Sequence, residues 1–221
     1  MLNSNLHVAI VGHGSGKTLV KKLEGVDRVW GINALNLSIP TDLIFSVHRF
    51  PDRFYQMGEA KRLTTIASFE RAQKDGTPVL SCHVWDKYPV IQPYPIDHIV
   101  GRFGIDYFTC SAAYALAYAI DVGVGKISLC GVTGRENADF QRPCIEFWCG
   151  VAVGAGIPVY SFGGGSDIMR TETNETAPVL QQWRYGYHHH PPDADKDFTL
   201  HLDLWNDEVK REQQAKVAAA A

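Results

Sequence analysis

The 221-residue sequence predicts an α/β fold: a Rossmann-like, mostly parallel sheet with helices on both faces and an irregular C-terminal extension. Three observations predict it. Apolar runs of strand length alternate with segments of helical period, the runs close on Gly, Asn, His or Ser, and glycines follow the helical segments as stops. Strands separated by helices need crossover connections, which make the sheet parallel and bury both its faces.

In chain order, strands are expected at His7–Val11, Arg28–Ile32, Leu43–Val47, Val79–Cys82, Lys126–Cys130 and Ile157–Ser161. Helices are expected at Thr18–Leu23, Ala60–Lys74, Ser111–Asp121 and Pro143–Gly154. Gly76, Gly123 and Gly156 serve as C-terminal stops, and Pro143 suits a first helical position. After about Gly163 the pattern gives way to "GGGSDIMRTETNETAP", then "WRYGYHHHPPDAD", a short strand-like "FTLHLDLW" and a charged terminal helix. The expected organisation is a nucleotide-binding domain over 1–165 and an extension over 166–221, a lid or oligomer contact packed on the same domain. Three adjacent histidines near Asp193 and Asp195 invite a metal reading. Adjacent side chains of an extended chain alternate faces, so at most His188 and His190 could share an ion, and neither metal nor cofactor is expected.

An apolar fraction of 45% fills a proper core, while a net charge of −3 and a pI near 6.3 argue against a dominant electrostatic grip on nucleic acid or an anionic membrane. Cys82, Cys110, Cys130, Cys144 and Cys149 lie in apolar contexts without C-x-x-C spacing and read as buried thiols of a reducing compartment. The first residues, "MLNSNLHVAI", lack a basic region ahead of a long apolar stretch, and no apolar run reaches membrane-spanning length. A cytoplasmic protein is expected, with homo-oligomers possible.

The opening strand runs into "VGHGSGKTLV". A Walker A loop needs four residues between its first Gly and Gly-Lys-Ser/Thr, but Gly12 and Gly16 enclose three. The dinucleotide fingerprint fails too, because Lys17 stands where its third glycine belongs. What remains is a buried strand, a glycine turn and a helix N-terminus, an arrangement that favours an anion.

The segment Thr109–Gly131, "TCSAAYALAYAIDVGVGKISLCG", resembles the signature of bacterial sialyltransferases of the Campylobacter lipooligosaccharide type. It is also similar to flagellin-modification accessory proteins and archaeal 6-hydroxymethylpterin pyrophosphokinases. In that superfamily a Ser opens a small-residue helix, a Gly ends it and a strand of the type K-x-I-x-L-x-G follows. "VGHGSGK" and "WGINAL" match the family's first turn and second strand in order, and "QRPCIEFWCGVAVGAGIPVYSFGGGSDI" resembles a segment of phage-encoded members. The resemblance covers about Val8 to Ile168, with divergence between Arg49 and Arg102.

The resemblance implies a glycosyltransferase-like fold in which Gly12 and Gly14 approach phosphate or ribose, Asn33 hydrogen-bonds the nucleotide, and Ser111 at its helix N-terminus holds phosphate. His13, Ser15, Gly131 and Thr133 complete the strand-end set, and Arg135 and Arg142 are candidates for phosphate neutralisation. This sequence departs from the pattern at His13, at Ser15-Gly16 and at Thr133, where the family ends in Asp. The sialyltransferases' general-base His falls after the last of these strands, and "TGRENADFQRPCIEFW" contains none. His48 and His83, each just past a strand, and Glu136, Asp139 or Glu146 are the candidate bases in its place. The leading expectation is a nucleotide-sugar-dependent transferase taking the nucleotide sugar as substrate, its acceptor open. The alternatives are a nucleotide-binding or sequestering protein without turnover, and a pterin-type pyrophosphokinase.

Overall fold

In the computed structural model, residues 3–48, 58–134, 138–162 and 168 are described. Among them seven strands form one sheet in the order β5-β4-β3-β2-β1-β6-β7, and every neighbouring pair is parallel. The strands are β1 (Asn3–Val11), β2 (Arg28–Ile32), β3 (Leu43–Phe45), β4 (Val79–Ser81), β5 (Ile91–Pro93), β6 (Val124–Cys130) and β7 (Val159–Phe162). The helices are α1 (Glu59–Asp75), α2 (Ile96–Phe103), α3 (Ser111–Val122) and α4 (Ala138–Gly154), with short 3₁₀ segments at Lys17–Lys22 and Asn33–Leu37.

The period of two along β1 places its side chains. Val8 and Ile10 join a core with α3 and α4, whereas Ala9 and Val11 face the opposite way onto Val20, Leu35 and Ile39 of the 3₁₀ side. Farther along the sheet, Ile44 and Val79 pack under Phe69 and Ala72 of α1. Both faces are therefore covered, as the alternation of strands and helices requires. Helix α3 crosses β1, β2 and β3, and its buried alanines at 112, 113, 115, 117 and 119 keep it close to the sheet. It stops at Gly123, whose φ of 71° lets its N–H reach the carbonyls of Ala119 and Ile120.

Two aspartates repeat one device. The Asp27 carboxylate accepts from the His7 N–H at 2.7 Å while the Asp27 N–H donates to the His7 carbonyl at 2.9 Å. Asp42 does the same to Val29, at 2.7 Å in both directions. Each residue just before a strand thus ties the preceding strand into register.

Several expectations change. Strand β5 and helix α2 were not foreseen, because three residues ending in Pro carry no periodic signal. The expected helix at Thr18–Leu23 is a six-residue 3₁₀ segment. Pro143 lies inside α4, which begins five residues earlier, rather than at its first position. Cys130, Cys144 and Cys149 are buried, but Cys82 and Cys110 are only partly so. Of the extension over 166–221 only Ile168 is described, and it is fully buried in the main core; His188, His190, Asp193 and Asp195 lie outside the described residues.

Candidate functional site

From β1 the chain builds β2 to β5 on one side, then returns through α3 to place β6 on the other. The carboxyl ends of β1 and β6 therefore flank the switch point at which open α/β sheets form their ligand crevice. Val11 and Cys130 are register partners, so Gly12 and Gly131 leave the sheet side by side. The Gly12 N–H donates to the Cys130 carbonyl at 2.9 Å, and the Gly14 N–H to the Gly131 carbonyl at 2.8 Å.

These turns touch backbone to backbone. A Cβ at Gly12 would lie 2.6 Å from the Gly131 oxygen, and one at Gly14 would lie 2.7 Å from both that oxygen and the Thr133 methyl. Both glycines thus have a packing reason to be glycine, and their N–H groups are bonded to β6 and its turn. The following 3₁₀ segment is too short to supply much helix dipole. Lys17 opens it, with its backbone N 2.9 Å from where a Gly131 Cβ would be, and makes no ion pair among the described residues.

His13, exposed between the two pinned glycines, reaches sideways to β2. Its Nε2 lies 3.0 Å from the Ile32 carbonyl oxygen. The next residue, Asn33, has a φ of 54°, the left-handed region that a side chain seldom adopts. Its Oδ1 is buried without a hydrogen-bond partner among the described residues. An unsatisfied buried acceptor costs about 1–3 kcal/mol. Ser15 is exposed on the same turn as His13.

Gly123 leads directly from α3 into β6, so Ser111 at the other end of α3 belongs to the carboxyl edge. Ser111 was expected as an N-cap; instead Cys110 is the cap residue, in extended geometry, and Ser111 is the first helical residue and buried. Thr109 donates to the Phe140 carbonyl at 2.9 Å, and the Tyr107 carbonyl accepts from Trp148 Nε1 at 2.8 Å and the Cys144 thiol at 3.3 Å. The loop ahead of α3 is thereby fastened to α4. In the first turn of α3, the Tyr114 hydroxyl hydrogen-bonds with the Cys82 thiol just past β4. Burial pushes that thiol up, so Cys82 stays a neutral thiol and a poor nucleophile. The Cys82–Tyr114 pair was not anticipated, since nothing local links residues so far apart in sequence.

Arg142 and Glu146, expected as phosphate ligand and base, bind each other: Arg142 Nε donates to a Glu146 carboxylate oxygen at 3.0 Å, one turn apart on α4. Gly134, with a φ of 61°, abuts the Arg142 backbone and brings the β6 loop onto α4. His48 and His83 follow β3 and β4, two and three strands from β1, which separates them laterally by about 10 and 14 Å from the first turn. The His83 N–H donates to the Ser81 hydroxyl at 3.3 Å. Arg49, Arg135, Glu136 and the Asp139 side chain lie outside the described residues. Among the described residues no helix is long and apolar enough to cross a membrane.

No protein-family model and no curated protein sequence matches the chain. Among solved structures, it is similar to the sialyltransferase CstII from Campylobacter jejuni, determined in complex with a substrate analogue, cytidine-5'-monophosphate. The match has a TM-score of 0.48 and 15% sequence identity, and covers 73% of this chain and 81% of that one.

Proposed function

We propose that this protein binds a nucleotide at the carboxyl ends of β1, β2 and β6 and acts as a nucleotide-sugar-dependent, glycosyltransferase-like enzyme. Asn33 carries this reading. A left-handed asparagine closing β2 holds a buried acceptor that has no donor among the described residues, beside a turn that His13 bridges. In open α/β sheets the end of the second strand meets the sugar of a nucleotide, and a ribose hydroxyl is the donor that Oδ1 lacks. Ser15, Ser111 and Thr133 lie on the same edge, and Lys17 brings a positive charge for phosphate.

The test is a melting-temperature panel with CMP, CDP, UDP, GDP and ATP, followed by hydrolysis assays with the sugar donor of whichever nucleotide binds. A ligand at a hundredfold excess over Kd adds about 2.7 kcal/mol, an easily read shift. Failure of every nucleotide to shift the transition would remove the site.

One observation favours a second reading, a nucleotide-binding protein without turnover. Glu146 is engaged by Arg142 and so is not a free carboxylate awaiting an acceptor proton. Nucleotide binding without donor hydrolysis would select this reading. A pterin-type pyrophosphokinase would instead require ATP with Mg²⁺ and paired carboxylates, and Thr133 occupies the position where the resemblance would call for an acid.

A further inference from the structure

We infer that His13 is the proton acceptor of this site, acting through Nδ1. The inference rests on the nucleotide-sugar reading above and gives the base's role to a residue that the sequence places in the nucleotide-binding set. The Ile32 oxygen 3.0 Å from Nε2 is a carbonyl and can only accept. The shared proton therefore sits on Nε2, and in a neutral imidazole the other nitrogen then carries an unshared pair. The ring has no second hydrogen bond among the described residues, and His13 is exposed.

The backbone holds the residue in place. Gly12 and Gly14, on either side, are both bonded through their N–H groups to the end of β6 and its turn. Ile32 is the last residue of β2, paired with Phe45 of β3 and nearly buried. A base whose far nitrogen is bonded to a fixed acceptor has its tautomer and ring orientation set before substrate arrives, which is the logic of an oriented catalytic histidine. Here a backbone carbonyl does the orienting.

His7 marks the contrast. Its Nδ1 lies 2.9 Å from the Gly25 carbonyl and its Nε2 lies 2.8 Å from the Ser128 hydroxyl, so both nitrogens are occupied and the ring is buried. A backbone-carbonyl anchor of the same kind, here Gly25, serves a structural role because no nitrogen is left over. His98 has Nε2 on the Asp121 carboxylate and sits on α2.

In the proposed step an acceptor hydroxyl gives its proton to Nδ1 of His13 as its oxygen forms a bond to the anomeric carbon of the donor sugar. The bond from that carbon to the phosphate oxygen breaks, and its electron pair leaves with the nucleotide. The imidazolium then returns its proton to water. With water as acceptor the same step is donor hydrolysis, which needs no knowledge of the natural acceptor.

The experiment compares wild type with His13→Gln, whose amide can still donate to Ile32 but has no basic nitrogen. Donors are CMP-N-acetylneuraminic acid, UDP-N-acetylglucosamine and GDP-mannose, and nucleotide binding is followed by melting temperature. The expected result is a loss of about 100-fold or more in kcat, a KM and nucleotide shift within about twofold, and disappearance of the acid limb of the rate profile. ¹⁵N spectra of the histidine side chains should show His13 protonated at Nε2. Turnover kept within about threefold in His13→Gln, or a proton found on Nδ1, overturns the inference. If nucleotides bind but wild type hydrolyses no donor, the inference fails while the binding site stands. If no nucleotide binds, the functional reading falls and the inference with it.

Discussion

The Gly14 N–H donates to the Gly131 carbonyl at 2.8 Å, and neither glycine has room for a side chain. A Cβ on Gly131 would lie 2.8 Å from the Gly14 oxygen and 2.9 Å from the Lys17 nitrogen, at a φ of 62°. The turns after β1 and β6 therefore form one backbone-on-backbone contact at the switch point of the sheet. Gly14→Ala should lower unfolding free energy by about 1–3 kcal/mol, the usual range for overpacking a filled site. Urea denaturation checks it. An alanine variant of unaltered stability would mean that the glycine is there for a ligand alone.

Asn33 separates binding from folding. Asn33→Gly suits a φ of 54° and removes the unsatisfied Oδ1, so stability should hold or rise slightly. Loss of one hydrogen bond to nucleotide should weaken binding by about 0.5–1.5 kcal/mol, roughly 2- to 13-fold. Calorimetric titration of the nucleotide found in the melting panel measures this, and equal affinities for variant and wild type would show that Oδ1 meets no ligand.

His7 should make stability depend on pH. Burial holds its pKa below the ordinary value; the bond to the Gly25 carbonyl and the Asp27 charge oppose that, and Lys126 adds to it. The unfolded chain takes up a proton near pH 6.5 while the folded chain does so only at lower pH. Stability from this residue is thus present above about pH 6.5 and declines as pH falls below it. Melting curves between pH 7.5 and about 5 should show a steeper decline for wild type than for His7→Gln, and parallel curves would refute the assignment.

Glu146 offers a check on the proton acceptor. Its pair with Arg142 spans one helical turn and is partly exposed on both sides, so Glu146→Gln should change stability by less than about 0.5 kcal/mol. Donor hydrolysis should survive the substitution within a few fold. Abolished hydrolysis in a stable Glu146→Gln variant would move the basic role from His13 to α4.

The local pattern of the chain was enough to place β2 residue for residue, to locate the cores of β1, β6 and α3, and to make the sheet parallel. Those features follow from chain neighbours: the two-residue period of Val8 and Ile10 against Ala9 and Val11, and the alanine run closed by Gly123. Asn33 and His13 were visible as polar residues past buried strands. Their surroundings were not, because the Ile32 carbonyl that fixes the His13 tautomer comes from the neighbouring strand, 19 residues on. Strand β5 escaped notice because three residues at a sheet edge are defined by pairing with β4 and not by their own pattern. Arg142 and Glu146 read as two functional candidates until the helix began at Ala138 and set them one turn apart. Sequence alone determined the elements that carry their own period or turn chemistry, such as β1, β2, β6, α1 and α3. Only the tertiary structure decided which nitrogen keeps its lone pair, which glycines touch and which charges cancel, since each depends on groups that strand order and helix packing bring together.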